Sequence, residues 1–139
     1  MIVRAGKMEY LFLVLFLIVA GLIINKIFQD KKYQESLQYF VGKGASMEPT
    51  ILDGEEIVTD PNQKPEINDI IVFKCEKCKI GQDDIDILTK RLLKINKEGC
   101  YWVEGDNKVK SYDSRDFDWL CQADIEFLGT VIPSDSVKE

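Results

Sequence analysis

Ile85–Ile95, with the sequence IDILTKRLLKI, is compatible with both a helix and a strand. A helix would align four of its apolar side chains on one face at three- and four-residue spacing. A strand would place Lys90 between Leu88 and Leu92, because alternate side chains of a strand point to the same side. We predict a strand, because the neighbouring apolar stretches are short and favour strands. Lys90 would then lie on an apolar face, where burial favours the neutral amine.

Short apolar stretches recur on both sides of this segment and alternate with turn signals. The other candidate strands are Leu37–Val41, Glu55–Thr59, Asp69–Lys74, Tyr101–Glu104 and Phe127–Ile132. The turn signals between them are Asp53-Gly54, Asp60-Pro61-Asn62, Glu98-Gly99 and Gly105-Asp106-Asn107. Short strands separated by polar turns predict a mainly β domain.

The composition excludes several classes of function. The chain has 139 residues, which fits one small domain, and it contains no His. A Ser-His-Asp triad, a Cys-His dyad and an HExxH zinc site are therefore excluded, and any general base must be Lys, Asp, Glu, Tyr or Cys. The net charge is −6 and no basic stripe is present, so we expect no nucleic-acid partner.

An apolar run near the N-terminus predicts a membrane anchor. Tyr10–Phe28 carries a single charge, Lys26, and a helix of about 20 apolar residues spans a bilayer core. A cleavable signal peptide is the alternative, but the run is long for one and no small-x-small site follows it. We therefore divide the chain into a tail (1–9), a transmembrane anchor (10–28), a linker or helix end (29–36) and a β domain (37–139). Positive charges flank the run almost equally, so charge alone does not set the orientation.

The four cysteines leave more than one interpretation open. Cys75 and Cys78 form a CxxC, whereas Cys100 and Cys121 are 21 positions apart. A zinc ribbon requires a second pair of closely spaced cysteines, and a thioredoxin-like CxxC motif requires a βαβ context. Disulfides are expected in an oxidising compartment and free thiols in a reducing one. No His or evident helix N-terminus would activate a thiol, so we expect no catalytic cysteine.

The segment GASMEPT, residues 44–50, follows the first candidate strand and contains a possible nucleophile. Glycine lets a backbone approach closely, and Pro49 favours an extended conformation at Glu48. We therefore expect Ser46 to be displayed on a rigid, extended segment.

Four segments in order resemble the sequence boxes of bacterial type I signal peptidases, which are Ser-Lys serine proteases. The first is Ser46-Met47-Glu48-Pro49-Thr50, similar to the nucleophile box of that family. The others are Asn68–Phe73, Thr89-Lys90-Arg91-Leu92-Leu93 and Gly105-Asp106-Asn107…Ser111-Tyr112-Asp113-Ser114-Arg115. The match covers about residues 37–133, and the anchor precedes it as the family has it. Asn68 stands where the family usually has Gly, and 94–99 replaces a Gly-Leu-Pro-Gly-Asp stretch.

The resemblance implies a role for each matched residue. Ser46 would be the nucleophile, Lys90 the general base, and Ser111 the serine that orients the lysine. The Ser46 N–H would be one oxyanion donor, while Gly44 stands where some members have a serine as the second donor. The remaining residues of the implied site are Met47 and Pro49 in the nucleophile segment, an Asp113–Arg115 ion pair, and Asp106 paired with Arg91.

The resemblance also implies a fold and an activity. The fold would be a coiled, partly barrel-like antiparallel sheet behind one transmembrane helix. The enzyme would be a monomer without metal or cofactor, single-pass in the cell membrane, with its catalytic domain outside the cytoplasm. It would remove signal peptides from exported preproteins at Ala-x-Ala sites, with the lipid bilayer and those signal peptides as its partners.

Three other classes of function stay open. One is a Ser-Lys maturation protease with a single dedicated substrate, and another is an inactive homologue that acts as a binding partner. Repressor-type self-cleaving proteases share the dyad and fold, but they are soluble and bind DNA. The apolar run and the acidic body of this chain disfavour that third class.

Overall fold

The computed structural model describes residues 6–78, 87–134 and 137. The chain divides into two compact units, Met1–Glu35 and Ser36–Glu139. The tail residues 1–5, and the first two residues of the predicted strand at 85–95, lie outside the described residues.

The N-terminal unit is built on one helix, α1, Lys7–Ser36. Its 30 residues span about 45 Å, and an apolar window within it has a mean hydropathy of 2.7 with no residue buried. Among the described residues it is the one helix long and apolar enough to cross a membrane. The predicted anchor, 10–28, lies inside α1. Residues 29–36 are also helical, so they are the end of the helix rather than an unstructured linker.

The second unit is a six-stranded antiparallel sheet, as the sequence predicted. Its strands are β1 Gln38–Val41, β2 Glu56–Asp60, β3 Ile70–Cys75, β4 Ile87–Ile95, β5 Tyr101–Glu104 and β6 Ile125–Ile132. Their order in the sheet is β1-β2-β6-β3-β4-β5, and the sheet is not closed into a barrel. A short helix, α2 Ser114–Phe117, and two 3₁₀ turns, Glu76–Cys78 and Gln122–Asp124, complete the described secondary structure of this unit.

The ambiguous segment is a strand, and its alternation places Lys90 inside the domain. Leu88, Lys90 and Leu92 are buried, with Lys90 only 3% exposed, while the residues between them are partly exposed. Lys90 lies opposite Ile71 on β3. A strand period of two therefore buries a lysine between two leucines, which confirms the choice of a strand over a helix.

Apolar clusters cover both faces of the central strand β3. Ile71 and Phe73 belong to the larger cluster, which includes Leu92, Val103 and Leu120. Val72, on the opposite face, packs in a second cluster with three side chains from the β1–β2 region, namely Met47, Ile51 and Ile57. The second cluster anchors the nucleophile segment against the sheet.

All four cysteines form disulfides. Cys75–Cys78 links the end of β3 to the 3₁₀ turn that follows it, with an S–S distance of 2.08 Å. Cys100–Cys121 joins the residue before β5 to the segment that leads into β6, at 2.05 Å. Of the alternatives left open by the sequence, the structure has disulfides, so no cysteine is free to bind zinc.

Candidate active site

The nucleophile segment is a turn, so the prediction of an extended segment was wrong. The N–H groups of Thr50 and Ile51 both donate to the Met47 carbonyl, at 2.9 and 3.0 Å. The Met47 side chain is 3% exposed and packs in the apolar cluster described above. Burial of this side chain draws the backbone into a turn, and the Glu48–Pro49 peptide bond within it is cis.

Hydrogen bonds on the N-terminal side hold the backbone that precedes Ser46. The Gly44 N–H donates to Asp53 Oδ1 at 2.8 Å, and Gly44 has a φ of +84°, a conformation that favours glycine. Gly42 donates to the Glu55 carbonyl and accepts from the Gly54 N–H, at 2.7 and 2.8 Å. The position of Ser46 is therefore set on one side by the buried Met47 side chain and on the other by the hydrogen bond of the Gly44 N–H to Asp53.

Ser46 and Lys90 are in direct contact. Lys90 Nζ donates to Ser46 Oγ at 2.9 Å and to the Thr89 carbonyl at 3.0 Å. This distance allows direct proton transfer between the two side chains. The geometry is that of a nucleophile beside a base.

The surroundings of Lys90 favour its neutral form. Burial lowers the pKa of Lys90 to about 8, and the negative charge of Asp113 opposes this shift. A lysine in water would keep its proton far above neutral pH. A pKa of about 8 leaves an appreciable fraction of neutral amine at mildly alkaline pH, and a neutral amine can accept the serine proton.

Ser111 contacts Asp113 rather than Lys90. Its Oγ donates to Asp113 Oδ2 at 2.6 Å and accepts from the Gly105 N–H at 3.1 Å. Within the part of the chain that the structure describes, Lys90 bonds only to Ser46 and Thr89, so the direct Ser111–Lys90 bond that the resemblance implied is not formed. The one hydroxyl proton of Ser111 goes to the Asp113 carboxylate, so Ser111 could bond to Lys90 only by accepting a hydrogen bond from its ammonium.

Asp113 is fully buried and charged. Arg115 donates to both of its oxygens at 2.8 Å, which is the ion pair that the sequence suggested, and the Gly105 N–H donates at 2.9 Å. Burial alone would raise the pKa of Asp113, but the hydrogen bonds from Arg115, Ser111 and Gly105 outweigh it and hold the pKa well below its usual range. Asp113 also caps α2 by accepting from the Arg115 N–H.

Asp106 links the nucleophile turn to β4. Arg91 donates to its two oxygens at 2.8 and 2.6 Å, as the sequence suggested, and the Thr50 hydroxyl donates to Oδ2 at 2.6 Å. The hydrogen bond from Arg91 lowers the pKa of Asp106. The adjacent Asn107 N–H donates to the Ser46 carbonyl at 3.0 Å. Asp106 and Asn107 therefore connect the nucleophile turn, through Ser46 and Thr50, to Arg91, the neighbour of Lys90 on β4.

Comparison with known families agrees with this geometry. A family model described as Peptidase S24-like matches residues 22–132, which is most of the chain and includes every residue of the site described in this subsection. The chain belongs to the Peptidase S24-like family. It is therefore a serine peptidase of the Ser-Lys kind. No curated protein matches the chain.

A groove in this S24-like peptidase opens beside Ser46. It has a volume of about 570 Å³. Most of its lining comes from β1, from the nucleophile turn and from the first half of β4, and single residues of β2 and β3 and the segment at 110–112 complete it. Its apolar side chains include Phe40, Met47, Ile51, Ile57, Val72 and Leu88. Ser46 and Lys90 both line the groove, so a peptide lying in it would reach the pair.

Sequence reasoning found most side chains of this site and missed several backbone contacts. Gly44, Met47 and Pro49 lie in the turn with Ser46, and Asp106, Ser111 and Asp113 lie in the segments that support it. The residues it missed are Thr50, Gly105, Asn107 and Asp53. Thr50 had its position in the nucleophile box as its signal, Gly105 and Asn107 stood in both a matched box and a turn signal, and Asp53 was visible as part of a turn.

Proposed function

We propose that this S24-like peptidase is a membrane-anchored signal peptidase that removes signal peptides from exported preproteins. The observation that carries the proposal is the buried Lys90 ammonium, 2.9 Å from Ser46 Oγ, at the side of a peptide-sized groove. The ordered resemblance of the four boxes to type I signal peptidases supports the finer assignment within the family.

The chemistry follows from the two side chains. Neutral Lys90 accepts the Ser46 proton while Ser46 Oγ attacks the scissile carbonyl, and the resulting ammonium returns a proton to the leaving amine. Water then hydrolyses the acyl-enzyme, with Lys90 again as the base. The Ser46 N–H is one donor to the oxyanion. Asp113 accepts the hydrogen bond of Ser111, and its negative charge stabilises the Lys90 ammonium. Asp113 and Ser111 are therefore positioning residues.

Among the residues that the structure describes, two strand edges of the sheet have no pairing strand. β1 is an edge strand that pairs there with β2. β5 pairs with β4 from Arg91 onward, so within the same residues the first half of β4 has one side without a partner strand. Both edges border the groove, and an extended peptide adds readily to such edges through backbone hydrogen bonds. The apolar lining suits small apolar side chains, which fits Ala-x-Ala sites.

The N-terminal helix and the disulfides support the proposed location. α1 is long enough to anchor the chain in the cell membrane in a single pass. Two disulfides are stable in an oxidising compartment, which favours a catalytic domain outside the cytoplasm. An enzyme and a preprotein held in one bilayer meet at a high effective concentration. We expect the enzyme to act as a monomer without a cofactor.

The test uses the full chain in detergent micelles with a preprotein that carries an Ala-x-Ala site. We expect cleavage after the second alanine, identified by N-terminal sequencing of the product. Ser46→Ala and Lys90→Ala should each lower kcat by at least roughly 10³-fold. Ser134→Ala and Lys97→Ala, which change exposed residues outside the groove, are the matched controls.

Two outcomes would contradict the proposal. Cleavage that survives in both Ser46→Ala and Lys90→Ala would mean that the pair is not catalytic. Cleavage of one dedicated protein, with Ala-x-Ala preproteins left intact, would instead identify a maturation protease of the same family.

A further inference from the structure

The described charged side chains that line the groove are basic, although the protein as a whole is acidic. Residues 29–139 contain 15 basic and 23 acidic side chains. Among the described residues, however, the charged side chains that line the groove are all lysines and none is a carboxylate. They are Lys43, Lys90 and Lys110. A chain with this composition would place more acids than bases at an average surface, so the groove departs from the rest of the domain.

Two of these lysines are exposed and have no ion-pair partner among the described residues. Lys43 lies two residues beyond the end of β1, just before the nucleophile turn, and Lys110 directly precedes Ser111. Neighbouring basic residues are paired: Arg91 with Asp106, Arg115 with Asp113, and Lys108 with Glu104. Within the described part of the chain, the basic side chains around the groove are thus paired, and Lys43 and Lys110 on its lining are not.

We propose that the substrate of this groove carries an acidic side chain close to the scissile bond, which Lys43 and Lys110 bind. This inference rests on the proposed endopeptidase function. A concave site lined by one sign of charge attracts segments of the opposite sign. An acidic residue would supply the missing partner of two unpaired lysines as the peptide lies along β1 toward Ser46.

A peptide is favoured over a lipid phosphate as the source of negative charge. Both lysines line the same groove as Ser46, and the free edges of β1 and β4 border it. A peptide must occupy this groove to be cleaved, whereas a lipid headgroup there would compete with the substrate.

The expected effect is moderate, because both lysines are exposed. An exposed ion pair changes affinity by roughly two- to fivefold, and salt screens it. We therefore expect a peptide with Glu at the favoured position to have a kcat/KM about two- to fivefold higher per lysine than the same peptide with Gln. The preference should fade toward about 1 M salt, where the Debye length of roughly 3 Å is as short as an ion-pair separation.

The experiment uses the full chain in neutral detergent and a series of peptides with one Ala-x-Ala site. Glu and Gln are exchanged at each of the four positions on either side of the scissile bond, one position at a time. The measured quantity is the Glu/Gln ratio of kcat/KM. The variants are Lys43→Glu, Lys110→Glu and the double variant, and Lys97→Glu is the control for a charge reversal elsewhere on the surface.

Support would be a ratio above two at one or more positions that falls to one or below in the double variant and stays unchanged in Lys97→Glu. A ratio near one at every position, with the peptides still cleaved, would overturn the inference and leave the proposed function intact. A ratio that survives in the double variant would also overturn it. If wild type cleaves no peptide, the proposed function fails and the inference falls with it.

A second experiment tests whether the two lysines bind anionic lipid headgroups instead of an acidic peptide. Binding to vesicles with and without an anionic phospholipid is measured for wild type and the double variant. A loss of vesicle binding in the double variant, together with an unchanged Glu/Gln ratio, would assign the lysines to the membrane surface and overturn the peptide inference.

Discussion

Lys90 shows how one residue can be unfavourable for folding and useful for chemistry. The residue is 3% exposed, and burial lowers its pKa from 10.5 to about 8. The unfolded chain therefore binds more protons than the folded chain between these two pH values, so stability rises with pH across that window. The penalty is fully present below pH 8 and is relieved as pH approaches 10.5.

Replacing Lys90 by Met should stabilise the protein at neutral pH. The shift of about 2.5 pKa units corresponds to roughly 3 kcal/mol, and the lost hydrogen bonds to Ser46 and Thr89 offset about 1 kcal/mol of it. We expect the free energy of unfolding at pH 7 to rise by about 1–3 kcal/mol, with the gain shrinking toward pH 10.5. Urea denaturation at pH 7 and pH 10 measures this, with the exposed Lys97→Met as control. A less stable Lys90→Met at pH 7 would contradict the burial argument.

At the scale of elements, the strands were predictable because their information is local. Alternation and turn residues located all six strands, and Tyr101–Glu104 has the bounds that the sequence predicted. β6 begins at Ile125, two residues before the predicted start, because Ile125 pairs with Cys75 across an irregularity in the register. The irregularity lies in the partner strand β3, so the sequence of β6 alone does not indicate it.

The nucleophile turn was not predictable because its shape depends on distant residues. Met47 is buried against Val72 of β3, and Thr50 bonds to Asp106, which is 56 residues away in sequence. Local rules at Pro49 favoured an extended chain, and these tertiary contacts override them. The Ser46–Lys90 pair itself was found by resemblance and by the strand period at Lys90, whereas the Ser111–Asp113 contact emerged only from the structure.

The junction of β5 with the nucleophile turn leaves no room for a side chain at Gly105. A Cβ there would lie 2.2 Å from Ser111 Oγ and 2.5 Å from the Ser46 carbonyl oxygen. Gly105→Ala must displace the nucleophile or its support, and a shift of about 1 Å can lower kcat by roughly 10²-fold. Steady-state kinetics measures this, with Gly21→Ala as the matched control because an added Cβ there meets nothing within 4 Å beyond the nearby backbone of its own helix. Full activity of a folded Gly105→Ala would show that the contact does not position Ser46.

At the scale of the whole molecule, the chain combines an exposed apolar helix with a small disulfide-bonded sheet domain. The pairing of the cysteines could not be read from their spacing, because it depends on where β3, β5 and β6 place their ends. A small domain buries limited apolar surface, so covalent links contribute a large share of its stability.

Removal of Cys100–Cys121 should destabilise the sheet domain more than removal of Cys75–Cys78. The first closes a loop across 21 positions and the second across only three, and the entropy lost by the unfolded chain grows with the loop. We expect the Cys100→Ser/Cys121→Ser variant to lose about 2–4 kcal/mol and the Cys75→Ser/Cys78→Ser variant to lose less. Denaturant unfolding of both variants beside wild type measures the difference. An equal loss in both would contradict the loop argument.

The central claim is that Ser46 is activated by a neutral Lys90, and the pH dependence of kcat/KM tests it most directly. For free enzyme this quantity reports the pKa of the essential base. We predict that kcat/KM rises about tenfold per pH unit at low pH and levels off above about pH 8, where burial places the pKa of Lys90. A profile that is flat between pH 6 and 9, or one that still rises toward pH 10.5, would contradict the account.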